Sequence, residues 1–440
     1  MKRTSGIALF VAGLALSPGM AGAQPVAAPA AAAPTDGRAT VAALRKVLAE
    51  NYVLPDVRAK LDAALGKALA AGRYDVSEPG VLVERVNADL AAVTPDKHLG
   101  MSYDPQQAAQ LSGAPRQDDG PATAEQLRVA RLRNHGIVEL KWLPGNVRYM
   151  ELRGFMWTGP ESARAYDDAM RFLSGGDAVI IDLRRNGGGS PDAVQYLVSH
   201  FMEPNRPLVT FHMGASQVDK LATLASLPAG RMVGKPLYVL TSGNTASAAE
   251  EFTGHVAGFK LGEVIGDTTA GAGFRNTFFP LPGGYLVSVS VGRAVLASTG
   301  KDWEAVGIAP TVPISAAKAL DLATARATGR IAAAASPQDR AALEASARVL
   351  AAKVQPVATA LPLAAYAGSF GERKVWVEGE GLAYQREGGP KLALVAVGPN
   401  LFAFENDPAT RVEYKVAGDS ATGFELQRGD GSKVEAVRTP

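Results

Sequence analysis

Two short stretches constrain this chain more than any others: Ala178-Val179-Ile180-Ile181-Asp182-Leu183 and Leu237-Tyr238-Val239-Leu240. Each is an almost unbroken apolar run of the kind that forms a strand buried on both faces. The first feeds three consecutive glycines, Gly187 to Gly189, and then Ser190-Pro191, a good N-cap with proline at the first helical turn. The second feeds a turn over residues 241–245 and a helical pattern over 246–256. Strand, loop, helix, repeated, is the signature of an α/β layered fold.

The flanking segments differ in period. Residues 36–100 read as a small helical domain, with Val41, Leu44 and Leu48 on one face, Val57, Leu61, Leu65 and Leu69 on a second, and Val81, Val86 and Leu90 on a third. It ends in Thr94-Pro95-Asp96-Lys97-His98-Leu99-Gly100, a turn punctuated by Pro and Gly. A polar link over 104–120 leads to a short helix whose Thr123 and Gln126 fit a capping box. Residues 121–315 then hold the α/β core. Its hairpin over 137–143 and 147–152 turns at Pro144-Gly145-Asn146, a helix covers 162–173, and a second hairpin turns at Gly283-Gly284. Residues 316–355 form an alanine-rich helical connector broken near Ser336-Pro337. Residues 360–440 alternate short apolar runs with Gly, Asp and Asn turns, which predicts a small antiparallel β domain.

At the N-terminus, Lys2-Arg3, an apolar run over 7–16 and Ala21-Gly22-Ala23 match a secretory signal, with cleavage expected after Ala23. The run is well short of the ~20 residues that span a bilayer. Residues 24–35 read as an Ala/Pro-rich leader. The expected compartment is the periplasm or the exterior, with no membrane span after cleavage. Losing Lys2 and Arg3 leaves 43 basic against 43 acidic residues, a balance that excludes a nucleic-acid footprint. With no cysteine, thiolate metal sites and cysteine nucleophiles are excluded, and histidine chemistry is limited to His98, His135, His200, His212 and His255.

Four elements carry candidate chemistry. Thr245-Ala246-Ser247-Ala248-Ala249-Glu250 puts Ser247 where a strand meets a helix N-terminus, either as a simple N-cap or as a nucleophile beside free amides. Asp182-Leu183-Arg184-Arg185-Asn186-Gly187-Gly188-Gly189 is a tight turn or a loop that points backbone N–H groups into a site; it has neither Gly-x-Gly-x-x-Gly nor a P-loop lysine. A serine needs a base, for which the turn residues His98 and His135 compete. Asp302-Trp303-Glu304-Ala305-Val306-Gly307 places a carboxylate in a glycine-containing loop, exposed or orienting an imidazole.

In this order the four elements resemble the S41 peptidase family, the tail-specific or C-terminal processing proteases, over about residues 38–315. The glycine block and the Ser247 block look like the family's two signatures. Asp96-Lys97-His98-Leu99, Leu143-Pro144-Gly145-Asn146-Val147-Arg148-Tyr149, Thr269-Ala270-Gly271-Ala272-Gly273 and Trp303-Glu304-Ala305-Val306-Gly307 are most similar to the branch containing the tricorn protease core and the modules of interphotoreceptor retinoid-binding protein. Processing peptidases pair serine with a lysine in the loop after the serine helix. Here that loop, residues 268–273, has none, and Lys260 lies at the helix end. The resemblance therefore implies Ser247 as nucleophile, His98 as base and Glu304 as its orienter, with the amides of Gly188 and Ala248 forming an oxyanion hole. It also implies a ClpP/crotonase-like catalytic core, an N-terminal helical bundle, and no cofactor or metal. No interval remains for an ordinary PDZ domain. The expected activity is that of an exported serine peptidase on polypeptide substrates; the alternative is a non-catalytic carrier of hydrophobic (retinoid or lipid-like) ligands or a peptide-binding protein on the same scaffold.

Overall fold

The computed structural model describes residues 36–112, 122–214 and 217–439, so the expected signal and leader lie outside the described residues. Three helices open the described chain, α1 (Gly37–Asn51), α2 (Pro55–Ala70) and α3 (Pro79–Ala91). Their apolar stripes at Val41, Leu44, Leu48, Leu61, Leu65, Leu82, Val86 and Leu90 are buried together. At roughly 1.5–3 kcal/mol per buried aliphatic side chain, this packing rather than helix propensity holds the unit. Strand β1 (Gly100–Tyr103) follows, and then the link begins as a helix, α4 (Pro105–Ser112), because the Asp104 carboxylate accepts the Gln107 amide. Helix α5 (Ala124–Leu132) carries the expected Thr123/Gln126 capping box.

The core alternates strands and helices in the expected order: β2 (Ile137–Leu143), β3 (Val147–Leu152), α6 (Pro160–Ser174), β4 (Ala178–Asp182) and α7 (Pro191–Ser199). Next come the antiparallel pair β5 (Pro207–Met213) and β6 (Gln217–Ala222), then β7 (Leu237–Thr241), α8 (Ala248–Gly258) and β8 (Glu263–Gly266). The long hairpin β9 (Phe274–Leu281) and β10 (Tyr285–Leu296), strand β11 (Val312–Pro313), and helices α9 (Ala319–Ala334) and α10 (Pro337–Val354) complete it.

Six strands form one sheet in the order β11-β8-β7-β4-β3-β2, parallel except for the β2 edge. Strand periodicity divides its two faces. Val179, Ile181 and Val239 join a core with Leu173 of α6, Leu197 of α7 and Phe252 of α8. Ala178, Ile180, Tyr238 and Leu240 face α9, whose Ala319, Ala323 and Ala327 stripe allows close approach. The alanine-rich connector is thus a covering layer of the sheet. A second sheet, β1-β10-β5-β6 with β9 on β10, packs Tyr285, Val287 and Val289 into the core of the N-terminal helices.

The C-terminal β segment is an eight-stranded antiparallel meander, β12 (Gly368–Phe370) to β19 (Lys433–Val437), each strand paired with the next. A bridge between Ser369 and Thr439 joins its two ends. Its core holds edge-to-face aromatic contacts among Tyr366, Phe402 and Tyr414.

Candidate active site

Ser247 sits at the N-cap of α8 with φ 55° and ψ −123°, a backbone conformation that non-glycine residues rarely adopt. Three contacts clamp the turn that carries it to the end of β4: Thr245 Oγ1 donates to Leu183 O (2.8 Å), Ser242 Oγ to Arg184 O (2.6 Å), and Ala246 N to Asn186 O (3.0 Å). Asp182 is fully engaged elsewhere, accepting from the Arg184 guanidinium and from the Tyr149 hydroxyl. The glycine loop lies directly against the serine. A Cβ on Gly188 would stand 2.7 Å from Ser247 Cβ and 3.1 Å from Ala248 N. Gly188, Ser247 and Ala248 are therefore brought together, Ala248 at the first position of the helix, where N–H groups have no intrahelical acceptor. The Gly188 N–H itself donates to Asn186 Oδ1 at 2.8 Å, so it reaches an oxyanion only by exchanging that acceptor.

The loop over residues 269–274 connects this group to the other half of the site. Glu250, wholly buried, accepts from Thr269 Oγ1 (2.6 Å) and Gly271 N (2.6 Å) on one oxygen, and from Ala272 N and Ser247 N (both 2.8 Å) on the other. Glu304 Oε2 accepts from Gly273 N (2.6 Å) and Phe274 N (3.0 Å). One carboxylate grips each half of the loop, and Lys97 Nζ adds a bond to Ala270 O. The role of Glu250 was missed in the sequence, where Glu at the third helical position reads only as a capping residue.

His98 and Glu304 are brought together, and Asp96 with them: one ligand-type atom from each lies within 4.8 Å of the others. Among the described residues no other group of histidines and carboxylates is so closely spaced. Asp96 Oδ1 accepts the His98 amide (2.8 Å), an Asx turn that fixes the backbone between the two residues. Burial lowers the His98 pKa below the usual imidazole value, and the Asp96 charge works against that fall. Burial, and then the Asp96 charge, push Glu304 up to about 7 against the stabilising amides of Gly273 and Phe274. No hydrogen bond joins Ser247 to His98 among the described residues.

The competing histidine is occupied: His135 Nδ1 bonds Ser162 Oγ at 2.8 Å. His200 Nδ1 bonds Gly230 O, and burial lowers its pKa to about 4. His255 packs inside α8 near Glu251, and His212 lies on β5. A cleft of about 980 Å³ opens on Ser247 and Ala248, walled by Phe155, Trp157, Phe211, Phe274 and Trp303. His98 and Glu304 do not line the cleft; Glu304 is tied to it through the amides of Gly273 and Phe274, which do.

Residues 146–314 match the family model for peptidase family S41, and residues 30–134 match the model described as the N-terminal domain of peptidase S41 in eukaryotic IRBP. The carboxy-terminal processing protease CtpB of Bacillus subtilis (strain 168) is 26% identical over 138 residues, 31% of this chain. That match spans 28% of the length of the Bacillus protein. Among solved structures, the photosystem II D1 C-terminal processing protease aligns with a TM-score of 0.42 at 17% identity, over 64% of this chain and 94% of that one. The tricorn protease aligns with a TM-score of 0.41 at 12% identity, over 72% and 37% respectively.

Proposed function

Since the chain belongs to peptidase family S41, its core and N-terminal models matched in succession, we propose that it is an exported serine peptidase acting on polypeptides through Ser247, His98 and Glu304. The observation that carries this reading is Ser247 itself: a serine held at positive φ, at a helix N-terminus, opening on a cleft and backed by a glycine loop. Such a backbone conformation is costly, and strain of this kind is kept where it aims a reactive group.

In the proposed reaction the Ser247 hydroxyl attacks the scissile carbonyl and passes its proton to His98 Nε2. His98 Nδ1 is buried and unpaired in the cluster with Glu304, which supports Glu304 as the group that orients the imidazole and stabilises its charged form. His98 then gives the proton to the leaving amine, and water releases the acyl group. The amides of Ala248 and Gly188 receive the oxyanion, Gly188 trading its bond to Asn186 for it. Each such donor is worth roughly 3 kcal/mol of transition-state stabilisation. The reading requires a Ser247–His98 hydrogen bond to form when a chain binds, as catalytic contacts commonly tighten only in the complex. The secretory signal expected from the sequence at residues 1–23 supports export of this activity.

A fluorophosphonate reagent tests the reading. Wild type becomes labelled at Ser247 and hydrolyses a casein or peptide substrate, while Ser247→Ala does neither and unfolds at the same temperature. The aromatic walls of the cleft favour a second reading, a carrier of hydrophobic ligands. A folded wild-type protein that stays unlabelled and binds a lipid-like fluorophore would select it.

A further inference from the structure

The Asp96–His98–Glu304 cluster, which brings one ligand-type atom of each residue within 4.8 Å of the others, also holds three unpaired buried atoms. Asp96 Oδ2, His98 Nδ1 and Glu304 Oε1 each lack a hydrogen-bond partner. The other carboxylate oxygen of each acid is committed to backbone amides, Oδ1 to His98 N and Oε2 to Gly273 N and Phe274 N. A carboxylate oxygen buried without a donor is costly. A single Nδ1–H and one carboxyl proton, distributed over the three atoms, would satisfy all of them.

We infer that Asp96 is a second positioning carboxylate for His98, sharing the buried Nδ1 edge of the ring with Glu304 and holding the imidazolium that forms when Ser247 gives up its proton. The inference rests on the peptidase reading for its catalytic meaning, though the contact with His98 stands apart from it. In the resting state neutral His98 carries its proton on Nδ1, which needs a small closing of the cluster to bond one of the two acids, since none is bonded to it here. The second proton belongs to Glu304, whose carboxyl is pushed up to about 7 by burial and then by the Asp96 charge. When Nε2 accepts the serine proton, the ring becomes a cation flanked by both acids.

The groups around the cluster are consistent with this. Tyr52, at the C-terminal end of α1, is fully buried beside Asp96 and Thr94; burial and then the Asp96 charge raise its pKa, so it remains a hydroxyl donor. Lys97 is committed to Ala270 O, and Glu250, facing Glu304 from α8, is saturated by its four donors. Asp96 is thus the acid charge acting directly on His98, and the spacing of two residues between them is set by the Asx turn.

Asp96→Asn is the test, because the amide oxygen can still accept from the His98 N–H and preserve the turn while the charge is removed. In a Ser247→Ala background, NMR titration of His98 should show its pKa falling by about one unit, the scale expected for loss of a near carboxylate. In the Ser247 enzyme, kcat should fall about tenfold with little change in KM, and the acid limb of the kcat/KM profile should move to lower pH. Asp96→Glu should restore much of the His98 pKa. A His98 pKa and pH profile both unmoved in Asp96→Asn would overturn the inference and leave Asp96 a turn residue. Should Asn unfold the loop, the Asp96 carboxyl 13C shift in unsubstituted protein decides: it tracks the His98 titration if the inference holds and ignores it if not. Absence of hydrolysis in wild type would refute the peptidase reading, while the NMR result would still decide the role of Asp96.

Discussion

Replacing Gly188 with alanine is the sharpest structural test of the site. Gly188 has φ 109°, which an L-residue occupies at a cost of roughly 1–3 kcal/mol. Its new Cβ would stand 2.7 Å from Ser247 Cβ, 3.0 Å from Ala246 O and 3.1 Å from Ala248 N. Non-bonded carbons prefer about 3.5–4.0 Å, so the loop and the serine must part by about 1 Å. A displacement of that size costs about 10²-fold in rate, and loss of an oxyanion donor costs about 10²–10³-fold. Gly188→Ala is therefore expected to lower kcat by 10²–10³-fold and stability by about 2 kcal/mol. Gly187→Ala is the internal control, because nothing lies within 4 Å of a Cβ there; it should stay within about 0.5 kcal/mol of wild type. Peptide hydrolysis, fluorophosphonate labelling rate and urea unfolding read all three proteins. A Gly188→Ala enzyme that keeps more than about a tenth of wild-type activity, or a Gly187→Ala enzyme equally impaired, would refute the reasoning.

Other outcomes follow from the same geometry. Glu250→Gln puts an NH₂ against backbone donors and removes a buried charge that holds four of them, so urea unfolding should show a loss of about 3 kcal/mol, with activity falling in parallel. For Glu304, the folded pKa of about 7 lies above the unfolded value of 4.5, so the folded state binds more protons in between and stability from this group falls as pH rises through that window. His98, lowered on folding, works in the opposite direction, which makes the difference between wild type and Glu304→Gln the informative quantity. That difference should move by roughly 1–2 kcal/mol in favour of the variant between about pH 4.5 and 7, after allowance for solvent screening. A flat difference in urea unfolding across that range would exclude a raised Glu304 pKa.

What the sequence made legible was mostly local. The buried strands at 178–182 and 237–241, the Ser190 cap and the Thr123/Gln126 capping box depend on neighbours within one or two turns, and all lie where the pattern placed them. The hairpin β5–β6 was missed because its outer strand is mostly exposed and polar, with no strong alternation. Non-local pairings left no periodic trace: β1 joins β10 across more than 180 residues, and Ser369 meets Thr439. The same holds at the site. Ser247, Gly188 and Ala248 come together, and so do His98 and Glu304, but the Asn186 side chain that occupies the Gly188 amide and the carboxylate of Asp96 beneath His98 depend on side-chain directions that spacing does not encode.

The loop held between Glu250 and Glu304 has a consequence for when such a chain can become active. Its anchors come from α8 and from the segment after β10, the base from the turn before β1, and the backing glycines from the end of β4. No N-terminal fragment that stops short of Glu304 contains the whole constellation, and contacts of such sequence separation form late. A chain still emerging from the ribosome or threading a translocase lacks the residues 303–307 side of the yoke. Activity of the proposed site is thus conditional on completion of the tertiary fold, which itself guards a partly made chain against self-digestion.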